Sequence, residues 1–350
     1  MYSISIKIKY IFILSVILLT GTGYAQTFSC SGFIINDTNN IFLAKNLDWE
    51  LGNGIILFNP QNKTKKSIYS KNEGNTWVSK YCSITFNHFG LNQPLGGMNE
   101  KGLAVEELST WPTEYFNNNN FILNEFEWIQ YQLDNYQSTK EVVYNIEKAS
   151  IKKFYFGLHY LVVDRYGDIA IVEFIEGKPV VYRGSSLDVP VLTNNNYQRL
   201  IKYLNLISES DDKKLNINTS QDRFVKIVSL LKEQKNNYSP ADYLSAMNIL
   251  DSVKAADTQW SIIYDVLKST VYYKTKFNNR VREISFLNDI VKGNNFQYIP
   301  LETRNQNQFQ TFQLTDNISY LKKLKEDIER QFGDEGSDLV KLINLYLGKR

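Results

Sequence analysis

Cys30-Ser31-Gly32-Phe33-Ile34-Ile35, then Asn36-Asp37-Thr38-Asn39-Asn40, then Ile41-Phe42-Leu43-Ala44-Lys45-Asn46-Leu47-Asp48-Trp49, reads as strand, turn, strand. β-Branched and aromatic residues fill both arms, and the Asn/Asp-rich middle has side chains that bond to nearby backbone in turns. Two such arms around a five-residue loop predict an antiparallel hairpin. That pairing carries Cys30 alongside Lys45–Trp49 and places a thiol near a cation and the Asp48 carboxylate.

Working outward, further strands are expected at Gly54–Phe58, closed by Asn59-Pro60, and at Ser79–Phe86. The polar stretch from Gln61 to Asn75 reads as loop, and Gly96–Gly102 reads as a turn leading into Leu103-Ala104-Val105. Leu123–Ala149 has apolar residues near helical spacing, broken around Asn135–Thr139, which predicts two helices with Ser138 capping the second. A meander of strands follows at Leu158–Asp164, Ile169–Ile175 and Pro179–Arg183. Helical pattern returns over Tyr197–Ile207, Asp222–Gln234 and Ser239–Ser252, and a late hairpin over Trp260–Tyr264 and Ser269–Lys274, with Val281–Phe286 extending it. Strands, helices, strands, helices and strands in that order predict an α+β layered fold rather than an alternating parallel sheet. Residues 315–350 form a helical, charged extension, either docked or exposed.

The first residues carry a different message. Lys7 and Lys9 precede an apolar run from Tyr10 to Leu19, and Gly23-Tyr24-Ala25 offers a small-x-small cleavage site. Residues 1–25 are therefore expected to be a signal peptide, residues 26–29 a short pro-segment, and residues 30–314 the working domain of a secreted or periplasmic protein. The apolar run is shorter than the ~20 residues a membrane span needs, so no stable span is expected. Lipidation at Cys30 is disfavoured by Thr27-Phe28-Ser29 and by its distance from the apolar run. Without Lys7 and Lys9 the chain has 37 basic and 37 acidic residues, a balance that predicts no nucleic-acid partner.

Two cysteines and two histidines at wide spacing do not form a zinc motif, and no metal or cofactor is expected. One reading of Cys30 and Cys82 is a disulfide in an oxidising compartment; the other is that one of them works as a thiol. A Cys-His hydrolase would need a base in His88 or His159. His159 lies in an apolar strand and reads as packed, and His88 lies in an aromatic loop. A cysteine at a freed amino terminus needs neither. Its α-amine has an ordinary pKa of about 7.7–8.0, so near neutral pH it takes the thiol proton and later protonates a leaving amine. A nearby cation favours thiolate, and a carboxylate holds the ammonium form.

Five segments in order give that chemistry a family. Cys30-Ser31-Gly32 with Lys45-Asn46-Leu47-Asp48-Trp49, Gly97-Met98-Asn99-Glu100-Lys101-Gly102-Leu103, Val191-Leu192-Thr193-Asn194, Asp222-Arg223-Phe224 after Ser220, and Thr258-Gln259-Trp260-Ser261 together resemble the choloylglycine hydrolase and penicillin V acylase family. The resemblance covers Cys30 to about Phe286. It implies an N-terminal-nucleophile fold of four αββα layers, with two stacked antiparallel sheets, and hydrolysis of a linear amide C–N bond through a thioester. It makes Cys30 the nucleophile, its amine the base, Asp48 the carboxylate beside that amine, Asn194 an oxyanion donor and Arg223 the supporting cation. Lys45 stands where the family usually has arginine, keeping the charge without the planar fork. The family's further oxyanion asparagine has no counterpart in Glu106-Glu107-Leu108-Ser109; a backbone N–H, Ser109 or a glutamate takes its place. Bland roles stay open for three of these residues: Asp48 as a turn cap, Asn194 as a helix start, and Arg223 paired with Asp222 or in solvent.

Composition and position suggest an aromatic acyl pocket near Trp49, Phe58, Phe89 and Trp111. The expected substrate is a small N-acyl amide, with penicillin V, a bile salt, an acyl homoserine lactone and a fatty amide left open. Trp49 and Trp260 lean toward the penicillin-acylase-like branch. The resemblance allows a homotetramer. The rival class is a non-catalytic secreted binding protein on the same scaffold, with Cys30 disulfide-bonded to Cys82.

Overall fold

Asp37 Oδ1 accepts from the backbone N–H groups of Asn39 and Asn40, at 2.9 and 2.8 Å, and this turns the chain between the first two strands. The computed structural model describes residues 29–348 apart from 38, 71–74, 119–120, 209–214, 237–240, 287–293 and 303–307. The expected signal peptide, and the pro-segment apart from Ser29, lie outside the described residues.

In chain order the strands are β1 (Ser31–Asn36), β2 (Ile41–Asp48), β3 (Ile55–Asn59), β4 (Thr64–Lys66), β5 (Thr76–Val78), β6 (Ser83–Asn87), β7 (Pro94–Asn99), β8 (Ala104–Ser109), β9 (Phe121–Leu123), β10 (Ala149–Ile151), β11 (Leu158–Val163), β12 (Ile169–Ile175), β13 (Lys178–Arg183), β14 (Val191–Leu192), β15 (Thr258–Asp265), β16 (Thr270–Thr275), β17 (Asn278–Ser285), β18 (Gln297–Pro300) and β19 (Gln310–Thr311). The described α-helices are α1 (Glu125–Asn135), α2 (Thr139–Tyr144), α3 (Tyr197–Ser208), α4 (Ser220–Asn236), α5 (Tyr243–Ser252), α6 (Leu314–Phe332) and α7 (Ser337–Gly348).

Two large sheets dominate. One has six strands in the order β14-β1-β2-β15-β16-β17, the other nine in the order β13-β12-β11-β8-β7-β6-β3-β18-β19. Neighbours in both are antiparallel. The opening hairpin pairs Ser31 with Asn46 and Gly32 with Lys45, and every residue of β2 is buried. On its other edge β2 pairs with β15, with a register shift between Thr258 and Trp260.

The sheets stack face to face. Phe86 of β6 meets Tyr264 and Tyr273 of the six-stranded sheet, at ring separations of 6.2 and 5.7 Å. Gly32 leaves room for Leu108 and Leu161, which would sit 3.4 and 3.5 Å from a Cβ there. Helices α4 and α5 cover the six-stranded sheet, and α1 covers β7 and β8 of the other. The result is the expected α+β stack, helix over sheet over sheet over helix, with the main hydrophobic core between its layers.

Three local expectations change. Residues 94–99 are a strand, not part of a turn: Gly96 and Gly97 are there because the neighbours come too close for a side chain. A Cβ on Gly96 would lie 2.1 Å from the Glu106 carboxyl carbon, and one on Gly97 2.6 Å from the Ile84 carbonyl oxygen. The polar stretch after Gln61 contains β4, which pairs with β5. Buried Lys65 drives this, since Asp134 accepts from its Nζ at 3.0 Å and from Trp77 Nε1 at 2.7 Å. Ala149, the end of the expected helical stretch, instead opens β10, which pairs in parallel with β9. The C-terminal helices α6 and α7 are docked: Leu321, Leu324, Ile328, Leu339, Leu342 and Ile343 are buried in the main core.

Candidate active site

The hairpin register brings Cys30, Lys45 and Asp48 into one buried corner. Lys45 reaches Glu107 Oε1 at 2.8 Å and Glu106 Oε2 at 3.0 Å, all three side chains being buried. Burial opposes the lysine's charge, but the two carboxylates outweigh it and hold Lys45 above its ordinary range. Tyr264 donates to Glu106 Oε1 at 2.6 Å. Burial nevertheless pushes Glu106 up to about 7, against the pull of Lys45 and Tyr264.

Asp48 ends β2. One of its oxygens accepts from the Thr258 hydroxyl, while Oδ2 is buried with no partner among the described residues. Burial pushes this carboxyl up to about 7; Thr258, Arg223 and Lys45 pull it down, and Asp257 pushes it up. Asp48 thus stays at the strand end, bonded across to β15, rather than capping a turn.

Arg223, in the first turn of α4, is 1% exposed. Its Nε donates to Ser31 Oγ, one guanidinium nitrogen to Asn194 Oδ1 and the other to the Ile217 carbonyl, at 3.1, 3.1 and 3.2 Å. Asp222 is occupied elsewhere, by Tyr203 and the Asn216 backbone. Asn194 in turn donates to the backbone oxygen and the hydroxyl of Ser109, both at 3.0 Å. One chain of hydrogen bonds therefore runs Ser31, Arg223, Asn194, Ser109, from beside the thiol to the end of β8.

Both cysteines are free, so the disulfide of the binding-protein reading is not formed. In the full-length chain Ser29 precedes Cys30, so the Cys30 α-nitrogen is an amide. Burial pushes the thiol up to about 12; Lys45 and the Asp48 backbone N–H pull it down, while Glu107 and the Asp48 carboxylate push it up. Neither histidine stands in as base. His88 is buried against Trp49, at a ring separation of 4.4 Å, and burial lowers it to about 3. His159 is buried on β11 and bonded to Glu173 at 3.0 Å, the packed role its strand suggested.

A narrow pocket opens onto Cys30, with Glu107 and Ser109 as the other polar residues and Leu47, Trp49, Phe89, Leu95, Phe126, Phe156 and Leu158 as its apolar wall. Trp49 and Phe89 are where the sequence suggested. Phe58 and Trp111 are not part of this wall. Phe58 is buried on β3 of the nine-stranded sheet, and Trp111 is 73% exposed beside Lys153. Position near the motif in sequence did not predict position near the thiol in space. Phe126 and Phe156 went unnamed because α1 and the loop after β10 deliver them. A buried lysine on a strand was the available signal for Glu106 and Glu107, since such a charge requires a counterion.

A profile of the linear amide C–N hydrolases, choloylglycine hydrolase family, matches residues 30–296. The chain belongs to this family. A penicillin V acylase of Pectobacterium atrosepticum is 29% identical over 202 residues, 52% of this chain and 53% of that protein. The match thus spans about half the length of this curated relative. Among solved structures, the penicillin V acylase of Agrobacterium tumefaciens superposes with a TM-score of 0.68 at 23% identity, covering 81% of this chain and 98% of that one. A mutant of the conjugated bile acid hydrolase of Clostridium perfringens gives 0.67 at 18% identity, covering 81% and 99%. These likenesses carry the N-terminal-nucleophile hydrolase fold across to this chain. Among the described residues no helix is long and apolar enough to cross a membrane, and no cluster of metal-ligating side chains occurs.

Proposed function

We propose that this protein is an exported amidase that becomes active when residues before Cys30 are removed, and that it hydrolyses the linear amide of an N-acyl substrate in the manner of a penicillin V acylase. The observation that carries this is the placement of Cys30 at an apolar pocket, with an unpartnered, buried Asp48 oxygen in the same corner. Cleavage of the Ser29–Cys30 peptide creates an α-ammonium that this oxygen would accept. In its neutral form the amine takes the thiol proton as sulfur bonds to the acyl carbon. The developing oxyanion exchanges for one of the Asn194–Ser109 hydrogen bonds, so Asn194 donates to it while Arg223 holds the amide in place. Collapse breaks the C–N bond and the leaving amine receives the proton. Water then cleaves the thioester, releasing the carboxylic acid and restoring the thiol. Lys45, locked to Glu106 and Glu107, supplies a fixed cation near the sulfur.

The pocket favours a compact aryl or alkyl acyl group, as in a phenoxyacetyl amide, over a rigid four-ring steroid. The pocket is narrow, and seven of its ten lining residues are apolar. Lys7, Lys9 and the apolar run after them support export by a signal peptide. A homotetramer is the assembly the family suggests, and sedimentation of the purified protein reads it directly.

The test is a panel of phenoxyacetyl, medium-chain acyl and bile-acid amides, read by amine release, together with the intact mass of the purified protein. Phenoxyacetyl hydrolysis by a chain that begins at Cys30 is expected. Activity from a chain that still carries Ser29, or no release from any amide, would refute the assignment.

A further inference from the structure

The family match ends at residue 296, before α6 begins at Leu314. Yet the α6–α7 hairpin touches the supports of the acyl pocket at several points. Tyr320 donates to the His88 carbonyl at 2.7 Å, and Asn317 Oδ1 accepts from the Leu91 backbone N–H at 2.9 Å. Those bonds hold the loop that carries Phe89. Gly90 sits between them at φ +82°, and a Cβ there would lie 2.5 Å from Asn317 Oδ1 and 3.1 Å from Leu321. Only glycine fits both that backbone conformation and that closeness. From α7, Tyr346 accepts from Asn124 Nδ2 at 2.6 Å. Asn124 caps α1, the helix that brings in Phe126, and its Nδ2 also donates to Gln93 Oε1 at 2.9 Å. Asp327 accepts from Asn53, in the turn that follows Trp49.

Phe89, Phe126 and Trp49 are thus each one or a few residues from an anchor on the hairpin, and Phe89 packs on Phe126 at 5.1 Å and Trp49 at 5.9 Å. We propose that the C-terminal hairpin sets the size of the acyl group this pocket accepts, with Asn317, Tyr320 and Tyr346 as positioning residues. This rests on the reading of the pocket as an acyl site, and its distinguishing feature is control from outside the catalytic layers. Among the described residues, the bonds of the hairpin go to neighbours of the pocket wall, and no hydrogen bond or ion pair joins it to Lys45, Asp48 or Arg223.

Deleting the hairpin would expose core leucines, so the test uses side chains that keep their shape. Tyr320→Phe and Tyr346→Phe each lose one hydroxyl, and Lys341→Ala, at an exposed position of α7, serves as control. In a Cys30→Ala background, calorimetry measures binding of free carboxylic acids: acetate, hexanoate, decanoate and phenoxyacetate. The expected result is a change of roughly 3- to 10-fold in the ratio of phenoxyacetate to acetate affinity for each Tyr variant, the range set by one lost hydrogen bond, with none for the control. In the wild-type background, alkylation of Cys30 by iodoacetamide, a reagent with no acyl chain to fill the pocket, should change by less than about two-fold in both Tyr variants.

A ratio that stays constant while the melting temperature falls would reduce the hairpin to a stabiliser and overturn the proposal, as would the absence of acid binding at this pocket. Because binding is read without turnover, the proposal survives if wild type binds these acids and the ratios shift but no amide is hydrolysed. In that case only the catalytic reading falls.

Discussion

The two ends of the site are built in opposite ways. The Cys30 corner is polar, and its parts hang on regular structure: Cys30 precedes β1, Lys45 lies within β2 and Asp48 ends it, Arg223 sits in the first turn of a helix, and Asn194 follows β14. The acyl wall is apolar, and much of it comes from loops and a helix start that need outside support. The first arrangement fixes charges in a buried corner, where a small displacement changes their interaction strongly. The second fixes only shape, which tolerates substitution better. Substitutions at the corner should therefore act on the chemical step or on folding, and substitutions in the wall on which substrate is taken.

The largest expected effect is Cys30→Ala, which should lower amide hydrolysis by at least ~10⁴-fold with the fold retained, read by amine release and circular dichroism. Residual turnover near wild type would place the chemistry elsewhere. Next, Lys45→Met leaves Glu106 and Glu107 buried without their cation and should cost about 3–5 kcal/mol in urea unfolding. Glu106 already sits near 7, so part of that cost is relieved by protonation, and the loss should be smaller at pH 5 than at pH 8.

A third outcome concerns pH in the unprocessed chain. Asp48 and Glu106 are both raised to about 7 by burial, from ordinary values of 3.8 and 4.5. Groups raised in the folded state bind protons more tightly there than in the unfolded chain. Their contribution is present in full below about pH 4 and is lost as pH rises through about 7. An unprocessed Cys30→Ala protein should lose stability across that window in urea melts, and Asp48→Asn should flatten part of the slope. A slope that Asp48→Asn leaves untouched would show that this carboxyl ionises normally. At the wall, Phe156→Leu should raise KM for a phenoxyacetyl amide by roughly 3- to 10-fold while kcat stays within about two-fold. A fall in kcat alone would dissolve the division between the two ends. The smallest effect belongs to Trp111→Ala, which should move stability by no more than about 0.5 kcal/mol and leave KM unchanged, since that ring lies in solvent.

The same division explains what was legible in the sequence. The corner could be read because strand pairing is local: a five-residue loop between β-prone arms puts Lys45 opposite Gly32, two residues from Cys30. The ordered motifs added Asn194 and Arg223, which the structure joins by a hydrogen bond. The counterions of Lys45 could not be named, because they arrive on β8 of the facing sheet, some sixty residues later. The strand over residues 94–99 was hidden for a related reason: its glycines look like turn chemistry, but Gly96 makes space for the Glu106 carboxyl. The short β4–β5 hairpin was obscured by lysines, one of which is buried on Asp134. Phe126 and Phe156 belong to segments whose own patterns say nothing about the thiol, and only packing brings them to it.

The burial of the Cys30 sulfur has a further consequence. With the sulfur buried and pushed up to about 12, the neutral thiol is the favoured form near neutral pH. Oxidants and alkylating agents need the thiolate, so in a chain that still carries Ser29 the sulfur is expected to react slowly with both. On the reading proposed above, a single peptide cleavage would be an arming step, supplying an ammonium group where an amide stood.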